Sequence, residues 1–90
     1  MDGGEGVEGF PVVTAVGEKR VGRITGAKGD YYIVKRSLGR GRYPLPKRQA
    51  EVDPEQQRVL MRTPRKVLFE APKVGRKGEL DPATDSYYSG

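Results

Sequence analysis

The 90-residue chain contains neither cysteine nor histidine. Without cysteine it has no disulfide framework, no thiolate nucleophile and no thiolate metal site. Without histidine it lacks the commonest general base, the commonest metal ligand and the side chain that titrates near neutral pH. Ser37, Ser86 and Ser89 therefore have no imidazole to activate them. Glu51, Asp53 and Glu55 flank Pro54 and read as a solvated turn, and Asp-Pro recurs at 81–82 as turn chemistry. No carboxylate pair stands out for acid–base work. The expectation is a non-enzymatic protein with no cofactor and no metal. Long apolar runs are missing too: nothing approaches the roughly 20 residues of a membrane helix. The first residues are acidic and glycine-rich, not basic and apolar. A soluble cytoplasmic protein without a membrane span is expected.

Only 34% of residues are hydrophobic, so part of the chain is expected to lie outside any core. Residues 1–9, MDGGEGVEG, read as a flexible acidic Gly-rich arm. They match G-x-G-x-x-G at residues 4–9. A dinucleotide site, however, needs a strand before that motif and a helix after it, and Glu5 and Glu8 would repel phosphate. Residues 73–90, KVGRKGELDPATDSYYSG, show no hydrophobic periodicity and read as a flexible polar tail. Tyr87 and Tyr88 fall in that tail, either free or docked on a neighbouring chain. Residues 10–72 carry 14 of the 17 Lys/Arg but only 6 of the 12 Asp/Glu. A basic domain suits an anionic partner, although a merely solvated surface gives the same count.

Within 10–72 the pattern is that of short strands. Phe10–Val16 is β-branched and ends at Gly17. Arg20–Ala27 is a second strand, where a bulge at Gly22 would bring Val21 and Ile24 to one face. Tyr31–Arg36 alternates, with Tyr32 and Val34 opposite Tyr31, Ile33 and Lys35. In Arg42–Leu45 and after it, Pro44 and Pro46 lack ladder donors, which limits pairing to one side. Ala50–Val52 and Arg58–Thr63 follow as extended pieces. Thr63 and Pro64 then suit the start of a short helix, in which Val67, Leu68 and Phe69 either cap the sheet or build a dimer contact. The fold class expected is all-β: a small five- to six-stranded barrel with a short C-terminal helix.

The order GEKRVGRI, DYYIVKR, the Leu45-Pro46 pair, the Val52-Asp53 turn and a last strand running into a helix before Pro72 resembles the PRC-barrel superfamily. The likeness covers residues 10–72. It implies a PRC-type β-barrel acting as an adaptor that docks on proteins or ribonucleoprotein. It brings no catalytic residues.

One window, KRSLGRGRYPLPKR, has six Lys/Arg and no acid. Its Gly-Arg-Gly-Arg core suggests a nucleic-acid hook, but Tyr43 and Leu45 start a strand and leave Arg40 and Arg42 in a turn. Lys35, Arg36, Arg40, Arg42, Tyr43, Lys47 and Arg48 are the candidate partner- or anion-binding residues. The alternative is a hairpin whose charges protect an edge strand. Two functional readings stand: a protein-interaction adaptor, as a monomer or homodimer, or an RNA-binding domain in which Tyr31 or Tyr43 stacks on bases. Tyr32 is assigned to the core.

Overall fold

Six short strands form one mixed sheet in the computed structural model, which describes residues 5–89. They are β1 (Pro11–Thr14), β2 (Arg20–Lys28), β3 (Tyr31–Arg36), β4 (Arg42–Pro46), β5 (Ala50–Asp53) and β6 (Arg58–Met61). Their order across the sheet is β4-β3-β2-β1-β6-β5, with β1 and β6 parallel and the other neighbours antiparallel. Helix α1 (Arg65–Glu70) follows β6, and helix α2 (Thr84–Ser89) ends the described chain. The mainly β expectation and the short helix after the last strand are both present. No pairing joins β4 to β5, however, so the sheet is not closed.

It is nevertheless strongly curled. A flat six-stranded sheet would hold its edge strands about 24 Å apart. Here the edge strands β4 and β5 are joined by a single 3-10 turn, Lys47–Gln49, which spans under about 10 Å. The turn is tied to both sides: the Lys47 amide donates to the Asp30 carbonyl and the Arg62 amide to the Gln49 carbonyl. Two bulges in β2 help the curl. The β1 register slips at Val21, one residue before the glycine expected to carry it, and the β3 register slips at Thr25. Val21 and Ile24 consequently both face inward and are buried. Gly22 is required for a different reason: a Cβ there would be driven into the Lys35 carbonyl.

The concave side holds the core: Val12, Val21, Ile24, Tyr32, Val34, Tyr43, Leu45, Val59, Met61 and Leu68, joined by Val7 from the segment before β1. Tyr32 and Val34 point inward as the alternation predicts. α1 begins after Pro64, which occupies the N-cap position rather than the first helical one. Six residues are too few to hold a helix by propensity alone. Complete burial of Leu68, stabilising by about 2 kcal/mol, keeps this one in place as a cap.

The ends differ from the sequence reading. Residues 1–4 of the arm lie outside the described residues, but Val7 is buried and the Gly9 amide donates to the Ile24 carbonyl at 2.8 Å. Residues 73–89, read as a tail, pack across the convex side of β3 and along the free edge of β4. The Val74 amide donates to the Arg42 carbonyl at 2.9 Å, and the Tyr88 hydroxyl to the Pro44 carbonyl at 2.7 Å. Arg42 and Pro44 thus turn their carbonyls outward, and Pro44 and Pro46 share that parity. Neither proline leaves a gap in the ladder to β3, as expected of an edge strand. Tyr31 and Ile33 on the convex side are buried along with Tyr32 and Val34.

Candidate functional site

Cross-strand register assembles the basic residues. Arg23 on β2 faces Lys35 on β3, and Lys35 faces Arg42 on β4. Paired residues on neighbouring strands project from the same side of a sheet, so three cations stand in one row on the convex surface. Lys35 continues the parity of Tyr31 and Ile33, but it lies beyond the segment that covers them and is exposed. Like charges directly opposite destabilise a sheet. Among the described residues the ion pairs are Arg58 with Glu18 and Asp53, and Arg62 with Glu51. None of them neutralises the row.

The turn between β3 and β4 extends this surface. Gly39 and Gly41 have φ of 97° and 108°, values that favour glycine, and they display Arg40 between them. A groove of about 600 Å³ runs beside the turn, lined by Arg23, Thr25, Lys35, Arg40, Arg42 and Arg76 together with glycine backbone and Val74. The Arg42 guanidinium also reaches the Arg76 carbonyl at 3.5 Å. At the sheet end a second concavity, of about 550 Å³, shares Arg23 and Lys35 and adds Arg20, Arg36, Ser37 and Leu38.

The seven residues expected to act together therefore do not form one patch. Lys35, Arg40 and Arg42 share the groove, and Arg36 lines the adjoining concavity. Lys47 and Arg48 lie beyond the opposite end of β4, where Pro46 pairs with Tyr31. There the Lys47 ammonium stands 5.5 Å from the Tyr32 ring centroid, and Arg48 donates to the Tyr88 carbonyl at 3.4 Å. Tyr43 is a further correction. It is 3% exposed and packs edge-on against Phe69 at 5.1 Å, because its inward parity sends the ring into the core. Its face is not available to a partner.

Tyr31 is not a stacking platform either. It lies 6.0 Å from the Tyr88 ring, and its hydroxyl donates to the Asp85 carboxylate at 2.5 Å. Burial, reinforced by that bond to Asp85, pushes the Tyr31 phenol up to about 12. Burial also raises Tyr88. Sequence reasoning missed Arg20, Arg23 and Arg76 because they enter the site through register and through packing of the C-terminal segment. The one usable signal was Tyr31–Val34, four bulky residues in succession, which is how a strand covered on both faces reads.

No helix among the described residues is long and apolar enough to cross a membrane. Comparison with protein-family models, with curated proteins and with solved structures gives no match.

Proposed function

We propose that the chain is a non-enzymatic interaction module that docks an acidic segment of a protein partner on the convex face of β2, β3 and β4. The observation that carries this reading is the row Arg23, Lys35 and Arg42, three facing cations with no acid paired to them among the described residues. An anionic partner would relieve their mutual repulsion. Protein is favoured over RNA because Tyr31 and Tyr43 are buried and cannot stack on bases. Leu38, 77% exposed at the rim of the cationic surface, supplies an apolar contact that suits a polypeptide. The sequence likeness to PRC barrels supports an adaptor role. The three-residue link between β4 and β5 supports reading the curled sheet as a barrel of that type.

The test is fluorescence anisotropy with a labelled Glu/Asp-rich peptide and a single-stranded RNA of equal charge, at low and moderate salt. The peptide is expected to bind the more tightly, with affinity falling as salt rises and lost in the Arg23→Glu, Lys35→Glu double variant. Tighter binding of RNA would transfer the site to nucleic acid. No binding of either at low salt would sink the reading.

A further inference from the structure

We infer that the concavity at the end of β2 and β3 is a phosphoryl-group site, made for a phosphorylated side chain within the acidic partner segment. This rests on the docking reading above and adds to it the chemical class of the anchoring group.

The first observation is the charge of the lining. Arg20, Arg23, Lys35 and Arg36 all contribute, with Ser37 and Leu38 and, among the described residues, no acid. A carboxylate brings one negative charge to such a site. A phosphomonoester brings about two at neutral pH, and three strong acceptor oxygens.

The second observation is the state of Arg36. Its guanidinium lies over the Phe69 ring at 4.3 Å from the centroid. Stacking on that ring restricts the side chain before any ligand arrives. Its Nε is sealed in that packing, and the donors left for a ligand are those of the two terminal amino groups. A planar, fixed guanidinium with spare donors is the group that binds phosphate oxygens in pairs, and Ser37 at the same wall carries a further hydroxyl donor.

The third observation places the rest of the partner. The concavity shares Arg23 and Lys35 with the groove lined by Arg40, Arg42 and Arg76. A chain anchored by its phosphoryl group has further cations beside it for flanking carboxylates. Leu38, exposed at the rim, provides a contact for a neighbouring apolar residue. Free phosphate would use neither.

Three peptides of one acidic sequence decide the matter, carrying serine, glutamate or phosphoserine at the central position. Their affinities are measured by calorimetry on the full chain. The phosphoserine peptide is expected to bind about tenfold more tightly than the glutamate peptide, a preference resting on charge-assisted, paired hydrogen bonds. Arg36→Lys keeps the charge but loses the planar fork, and should reduce that preference to near unity. Arg20→Gln, at an exposed position, is the second variant. It should weaken the phosphoserine peptide more than the serine peptide without altering thermal stability. Equal binding of the glutamate and phosphoserine peptides would overturn the phosphoryl site and leave acidic docking standing, whereas no binding of any peptide would remove both. Inorganic phosphate competing at the same concentration as the phosphopeptide, or tighter binding to vesicles bearing phosphoinositide headgroups, would overturn the assignment to a phosphorylated protein.

Discussion

The Tyr88 hydroxyl donates to the Pro44 carbonyl at 2.7 Å, joining the last helix to the edge strand β4. Pro44 has no amide of its own to offer a neighbouring strand, and the outward carbonyl of Arg42 is engaged by Val74. An edge strand is normally an invitation to strand addition by another chain. Here proline and the C-terminal segment together leave little of β4 to pair with.

Tyr88→Phe should lose that hydrogen bond and cost about 1 kcal/mol. Tyr88→Ala should cost about 2–3 kcal/mol, because the ring packed on Tyr31 and Tyr87 is removed as well. Urea midpoints check both values. Light scattering should show self-association for the alanine variant only, as β4 is uncovered.

Alkaline pH should loosen the same corner. The Tyr31 phenol sits at about 12 in the folded chain against 10.0 for an ordinary tyrosine. Between those values the unfolded chain gives up its proton first, so stability falls as pH rises through the window. It is fully present below pH 10. Burial of Tyr88 acts with the same sign. Urea midpoints across the window should decline in the wild type and decline less in Tyr31→Phe.

Lys35→Glu separates stability from docking. Placed between Arg23 and Arg42, a carboxylate turns two repulsions into two attractions. The free protein should become more stable by up to about 1 kcal/mol, while binding of the acidic peptide is lost. A thermal melt and an anisotropy titration on the same sample check the pair of outcomes.

Two glycines should respond differently to alanine. At Gly22 the new methyl would be driven into the Lys35 carbonyl, which is backbone and held by the sheet. A loss of about 3 kcal/mol or more is expected. At Gly75 the obstacle is the Glu79 carboxylate, the end of a flexible side chain that can swing away. That change should stay within about 1 kcal/mol. Denaturant titration of the two variants makes the comparison.

Local patterns carried most of the architecture. Tyr31–Arg36 was bounded correctly, the prolines of β4 announced an edge, and Pro64 marked the turn into α1. α2 was illegible because no apolar stripe defines it: Tyr87 and Tyr88 are seated by Val67, Tyr31 and Pro44, residues distant in the chain. The site was half legible for a related reason. Proximity in sequence joined Lys35 to Lys47 and Arg48, whereas a hairpin sends the two ends of β4 in opposite directions. Register brought in Arg23 from a different strand, and register is not written in any single stretch of residues.

The parallel seam between β1 and β6, where Val12 lies beside Val59, sits in the interior of the sheet although it joins strands from opposite ends of the domain. A nascent chain that stops short of Arg58 can form the β1–β4 meander but leaves β1 with an open flank. The last-made strand is thus the one that completes the middle, and contacts so far apart in sequence form slowly. Folding should therefore be a single late event, with no half of the domain stable by itself. Until Met61 has emerged from the ribosome, the exposed side of β1 is where a chaperone, or a second unfinished copy, would find its purchase.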